Sequence, residues 1–376
     1  MCREALWWES RATWLGDRVT GDGAGVVRET VGGDLYDGTA GIAVFLAALY
    51  AATGETLFRE TARGALEHAL ALAHEGRCRS AGLYTGRAGI AWAAVALADV
   101  LGDISLIDLG VKLALRDAAA DEGDDVMSGR AGIVMALVAL WRRLGNPAVI
   151  ERAVRLGDAL LRNAVRDGET WSWRMSRQQE TPPLTGFSHG AAGVACALAE
   201  LLDVTREERF RPAIAGAAAY ERQWFDAECA NWRDLREGGS FSVAWCHGAP
   251  GIALSRLRMM ELLGGDAFRQ EADIAVQTTS AAFAADAADW SVCHGAAGLA
   301  EVLLRASAVL RRPGLALRVR DIAAEAAVRF GKERPAWPSG ARHGHTPGHF
   351  LGLAGIGHML VRSRRAEAPP PLLLIH

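Results

Sequence analysis

The feature that most constrains this chain is a short signal that occurs seven times. Gly-x-x-Gly followed by an apolar run opens at Gly38, Gly86, Gly129, Gly190, Gly248, Gly295 and Gly352. Successive copies lie 43 to 61 residues apart, enough for one helical hairpin and a loop of variable length in each unit. After each glycine pair the sequence is apolar nearly all the way round a helix, as in Ile42-Ala43-Val44-Phe45-Leu46-Ala47-Ala48-Leu49, so these helices must be buried. Between them run amphipathic segments. Ile150, Ala153, Val154, Gly157, Leu160 and Leu161 recur at helical spacing, with Glu151, Arg155 and Asp158 on the other faces. Seven alternations of buried and half-exposed helices predict an all-α fold, an α/α toroid of seven helical hairpins with an inner and an outer ring. Because one signal opens every inner helix, the inner helices run parallel and their N-termini share one rim. The paired glycines are expected to let neighbouring inner helices approach closely.

This pattern assigns residues 1–365 to a single toroid domain and 366–376 to a Pro-rich tail, with Ala368 to Leu372 expected in solvent. Strand signals are nearly absent, and 166–189 and 227–244 are the longest non-periodic stretches. The chain has 376 residues and a net charge of −3, with Lys and Arg spread along it, which argues against nucleic acid as a partner. The apolar runs of about a dozen residues fall short of the roughly 18 that a membrane helix needs, so no integral membrane segment is expected. The first ten residues lack the features of a secretory signal, which predicts a cytoplasmic protein. Six scattered cysteines do not make a disulfide framework and point to metal binding or burial.

The residues two and one before each first glycine occupy equivalent places on the rim. They are Tyr36-Asp37, Tyr84-Thr85, Met127-Ser128, Ser188-His189, Cys246-His247, Cys293-His294 and Phe350-Leu351. Cysteines at the same offset in consecutive units are expected to lie together in the ring. Two thiolates with one imidazole are favoured Zn²⁺ ligands, and three protein ligands leave the fourth tetrahedral position open, as in catalytic sites. The ordinary alternative is two core cysteines and two capping histidines. His247 and His294 are equivalent by offset, and spacing does not choose between them. Arg130 either offers a cation to a substrate or pairs with Asp124 and Asp125. Asp37 is expected to cap the first inner helix. Trp245 stands out among the tryptophans for its place beside Cys246. His343, His345 and His349 resemble a metal tract but fall in a loop, and His358 reads as a core or capping histidine.

The stretches Leu35-Tyr36-Asp37-Gly38-Thr39-Ala40-Gly41, Asp125-Val126-Met127-Ser128-Gly129, Ser188-His189-Gly190, Trp245-Cys246-His247-Gly248-Ala249-Pro250-Gly251, Cys293-His294-Gly295 and Gly352-Leu353-Ala354-Gly355 carry a further message. With them the chain resembles the lanthionine synthetase C-like family of peptide cyclases from about residue 30 to 362. The resemblance implies one zinc per chain held by Cys246, Cys293 and His294. It also implies addition of cysteine thiols to dehydroalanine or dehydrobutyrine in a ribosomal precursor peptide, supplied by a separate dehydratase. By the family's motif His189 is the acid or base and Asp125 its carboxylate partner, while His247 and Trp245 line the pocket; Arg130, from its place after Gly129, is the expected substrate-binding cation. One departure stands out: separate cyclases of the class I pathway often carry Arg four residues before the first zinc cysteine, where this chain has Ser242. Addition of glutathione or another thiol to dehydrated residues, a toroidal prenyltransferase subunit and a non-catalytic scaffold are the competing readings.

Overall fold

The computed structural model describes residues 1–19, 25–78, 80–117, 123–174, 182–236, 239–331, 337–340, 345–365 and 372–375. Each glycine pair opens an inner helix: α1 (Thr39–Thr53), α3 (Arg87–Leu101), α5 (Arg130–Leu144), α7 (Ala191–Thr205), α9 (Ala249–Leu263), α11 (Ala296–Val309) and α13 (Leu353–Arg364). Outer helices follow the first six: α2 (Thr56–His74), α4 (Ser105–Ala114), α6 (Pro147–Asn163), α8 (Arg211–Gln223), α10 (Asp266–Ala282) and α12 (Pro313–Phe330). Every inner helix packs on the next, and α13 packs on α1 to close the ring. The fold is therefore the expected α/α toroid with one correction. Among the described residues the seventh unit supplies an inner helix and no outer one.

Burial follows the sequence pattern. From Thr39 to Ala48 every residue of α1 is buried, and so is every residue of α7 from Ala191 to Leu202. The outer helix α6 starts at Pro147 behind Asn146, whose side chain accepts the Ala148 N–H at 3.0 Å, and it buries Val149, Ala153, Gly157 and Leu160 on one face. At the ends opposite the rim, ion pairs tie neighbouring inner helices: Arg142 to Glu200 and Asp203, Arg258 to Glu200, Arg305 to Glu261, and Arg362 to Glu301.

The second glycine of each pair has two jobs, of which the sequence reading anticipated one. A Cβ at Gly41, Gly89, Gly132, Gly193, Gly251, Gly298 or Gly355 would overlap the carbonyl oxygen six residues earlier, because the rim loop folds back onto the first turn of its own helix. At every unit but the sixth, that Cβ would also meet a rim residue of the neighbouring unit, such as Leu35 at Gly89 or Phe187 at Gly251.

Two expectations need correction. Among the described residues there are four short antiparallel hairpins: β1 (Leu6–Trp8) with β2 (Arg11–Thr13), β3 (Leu15–Val19) with β4 (Val26–Thr30), β5 (Val165–Asp167) with β6 (Thr170–Ser172), and β7 (Phe225–Asp226) with β8 (Asn231–Trp232). Strands of two to five residues are too short to display a period-two alternation. The last described residues are also not solvated: Leu372, Leu373, Leu374 and Ile375 are each at most 2% exposed. The Tyr84 hydroxyl donates to the Leu372 and Leu373 carbonyls at 2.8 and 3.0 Å, and Trp245 Nε1 donates to the Leu373 carbonyl at 3.3 Å. The run of four apolar residues gains by leaving water for this core, whereas Ala368 to Pro371 lie outside the described residues. No helix among the described residues is long and apolar enough to cross a membrane.

His349 is buried with its Nε2 3.0 Å from His358 Nδ1, and burial pushes its pKa down to about 3. His345 is exposed, and His343 lies outside the described residues. An unfolded chain takes a proton on this histidine near pH 6.5, and the native state does not. Its contribution is therefore full above pH 6.5 and is lost as pH falls toward 3, by about 1.4 kcal/mol per pH unit. Urea unfolding of wild type and His349→Asn between pH 4 and 6.5 is expected to show a shallower fall in stability for the variant by about that slope.

Candidate active site at the rim

The rim is knitted by the residues two before each first glycine. Going round the ring, the backbone N–H of Tyr36 donates to the Tyr84 carbonyl (2.9 Å), Tyr84 to Met127 (3.0 Å), Met127 to Ser188 (3.3 Å) and Ser188 to Cys246 (3.3 Å). Cys293 donates to Phe350 (3.0 Å), and Phe350 to Tyr36 (2.7 Å). Six seams are closed in this way. Between the fifth and sixth units no such backbone bond exists among the described residues. The same seam is the one where the second glycine, Gly298, meets only its own loop at Val292. Because α9 and α11 remain tied at their far ends by Arg305 and Glu261, the seam is open at the rim alone.

Cys246 and Cys293 stand on the two sides of this seam, close enough for each thiol to affect the other's ionisation. The two thiols perturb each other, which lowers the pKa of Cys246 and raises that of Cys293; the charges of Arg236 and His189 add to the lowering at Cys246. The Tyr36 side chain faces Cys293 closely enough to lower its pKa in turn. Both thiols are free, one buried and the other partly so.

His189 stands on the neighbouring fourth unit with its Nδ1 2.6 Å from Asp125 Oδ2, and its side chain is 26% exposed. The other oxygen of Asp125 accepts the N–H groups of Ser128 and Gly129, both at 2.8 Å, so the turn that opens α5 fixes the carboxylate. A carboxylate facing Nδ1 keeps the hydrogen there and leaves Nε2 free to exchange protons. His247 is buried, with its ring 6.1 Å from that of His189 at an interplanar angle of 28°. Burial pushes its pKa down to about 4, and neither ring nitrogen has a hydrogen-bond partner among the described residues.

His294 has a different setting. Its Nδ1 lies 2.8 Å from Ser291 Oγ and 3.1 Å from Asp289 Oδ2, and 41% of the side chain is exposed. A carboxylate on one ring nitrogen is the usual outer partner of a metal-ligating imidazole, because it fixes the tautomer and leaves the other nitrogen to the metal. The donor chemistry of Cys246, Cys293 and His294 fits zinc. Among the described residues no three His, Cys, Asp or Glu side chains converge on one metal position.

The remaining expected site residues fall outside this cluster or beneath it. Arg130 is 9% exposed and pairs with Asp124 at 2.8 Å. Trp245 is fully buried in an aromatic floor with Tyr84, Phe187 and Phe350, its ring 4.9 to 5.9 Å from theirs. Asp37 does not cap α1; its Oδ1 accepts the Thr346 hydroxyl at 2.6 Å, and burial raises its pKa to about 6. Sequence reasoning missed Tyr36, Asp234, Arg236 and Asp289. Only Tyr36 carried a readable signal, since it shares the offset of the two cysteines.

An α/α toroid whose one open rim seam carries two thiols beside a histidine–carboxylate pair is a distinctive combination. The family model described as lanthionine synthetase C-like protein matches residues 29–373, and the chain belongs to that family. Among solved structures, nisin cyclase is similar with a TM-score of 0.70 at 18% identity, covering 91% of this chain and 92% of that one. A GH76 alpha-mannanase from Bacteroides thetaiotaomicron has a TM-score of 0.51 at 10% identity, over 95% and 91% of the two chains. A cellobiose 2-epimerase from Bacillus thermoamylovorans has the same score at 11% identity, over 72% and 84%. At these identities the likenesses show the toroid alone. Comparison by sequence with curated proteins gives no match.

Proposed function

We propose that this chain is a zinc-dependent cyclase that adds cysteine thiols to dehydroalanine or dehydrobutyrine within a dehydrated ribosomal peptide. The observation that carries the reading is the open seam, where Cys246 and Cys293 meet beside the His189–Asp125 pair. Family membership and the nisin cyclase fold support it. Cys246, Cys293 and His294 would hold the metal. When bound, zinc supplies a cation that favours the thiolate of a substrate cysteine at neutral pH, which a free thiol of pKa about 8.5 does not reach.

The protein's own groups handle the protons. As the thiolate forms a bond to the β-carbon, the double-bond electrons move toward the carbonyl and leave an enolate. His189 Nε2, having taken the proton released by the substrate thiol, then delivers it to the α-carbon, with Asp125 on Nδ1 stabilising the charged ring in between. The neutral, buried His247 beside it keeps a second positive charge away from His189.

The test is single-turnover thiol consumption with dehydrated, cysteine-containing peptides. His189→Asn is expected to slow the reaction by about 100- to 10,000-fold while zinc content is unchanged. A wild-type rate in that variant would remove His189 from the chemistry. If the enzyme instead coupled added glutathione to dehydrated peptides that lack cysteine, the intermolecular thiol reaction would replace cyclisation.

A further inference from the structure

We propose that Arg236 contacts the substrate in this site, donating to the carbonyl oxygen of the dehydrated residue as its β-carbon is attacked; this rests on the thiol-addition reading above. Arg236 lies between β8 and α9 on the loop that leads to Cys246. Asp234 grips one edge of its guanidinium, with Nε 3.0 Å from Oδ1 and Nη2 2.7 Å from Oδ2. Asp234 is itself fixed: its side chain is 3% exposed and Ser242 Oγ donates to Oδ2 at 2.8 Å. A fork held on one edge by a buried carboxylate is a preoriented donor rather than a loose surface cation.

The grip leaves Nη1 without a partner among the described residues, while 52% of the Arg236 side chain is exposed. The same Asp234 lies 3.7 Å from Nδ1 of His247, which follows Cys246 and faces the ring of His189. Arg236 is therefore anchored, through Asp234, beside the histidine that follows Cys246 and faces the proton-transfer histidine. Its charge is felt by Cys246, and the Asp234 hydrogen bonds first, then the two thiols, strengthen its hold on its own proton.

The reaction needs a donor of this kind. Addition forms the sulfur–β-carbon bond, breaks the carbon–carbon π bond and places the electron pair on the enolate oxygen until His189 protonates the α-carbon. A fixed cation aimed at that oxygen stabilises charge that exists only after attack has begun, which raises kcat more than it changes KM. Removing one such donor costs about 100- to 1,000-fold in rate.

The experiment compares wild type, Arg236→Lys and Arg236→Ala as zinc-loaded full-length proteins acting on a dehydrated, cysteine-containing peptide, with thermal unfolding recorded for each. Arg236→Ala is expected to lose about 100- to 1,000-fold in kcat with little change in KM, and to regain activity when guanidinium ion is added. Arg236→Lys is expected to recover only part of the rate, since a point charge lacks the fork that Asp234 holds. An unchanged kcat in Arg236→Ala, or a loss that guanidinium leaves in place, overturns the assignment while the cyclase reading stands. Wild-type protein that consumes no thiol overturns both.

Discussion

Deleting residues 372–376 is expected to remove most of the protein's net stability. Four fully buried side chains, Leu372, Leu373, Leu374 and Ile375, leave the core with that cut. At about 1.5–3 kcal/mol each, the transfer free energy lost is roughly 6–12 kcal/mol, an upper figure because the unfolded chain already hides some surface. Whole domains are stable by about 5–15 kcal/mol. Tyr84 and Trp245 lose their acceptors at the same time, so the indole beside Cys246 is no longer fixed from below. Thermal unfolding followed by circular dichroism should show either no cooperative transition or a midpoint lower by roughly 8–15 °C. The point variant Leu373→Ala should cost about 2–5 kcal/mol and keep the fold. A truncated protein that melts like wild type would mean that the tail's burial contributes nothing.

The second large effect is expected at the open seam. Six rim seams are held by backbone hydrogen bonds, and the seventh has two sulfurs instead. A metal bound there clamps the fifth and sixth units in the native state only, so chelation should lower the melting temperature. Saturation at about 1,000 times Kd corresponds to about 4 kcal/mol, or roughly 5 °C for a chain of this length. Cys246→Ala and Cys293→Ala should each bind no zinc, form no thioether and melt at the same temperature with and without chelator. A chelator shift that persisted in both variants would place the metal elsewhere.

Much of this was legible in the sequence because one close contact repeats. The second glycine cannot be replaced where the rim loop folds onto its helix, so the loop writes itself into the chain seven times, and comparing fixed offsets then finds Cys246, Cys293 and His189. Offsets give position on the ring and not side-chain direction. Arg130 turns to Asp124, Trp245 turns into the floor, and Asp37 finds Thr346 in the seventh unit, contacts set by tertiary packing alone. The Asp234–Arg236 pair lies in an aperiodic loop where no repeat marks it. The tail misled through its prolines, although four consecutive apolar residues at its end already disfavoured a solvated segment.

The measurement that tests the central claim most directly is the count of free thiols in a dehydrated peptide before and after exposure to the zinc-loaded protein. Ring closure adds no mass, so N-ethylmaleimide capture followed by mass spectrometry reads it. The account predicts that wild type protects one thiol for each dehydrated residue consumed, and that chelated protein and Cys293→Ala leave every thiol reactive. Thiols that stay fully reactive with wild type, or are protected equally after chelation, would contradict it.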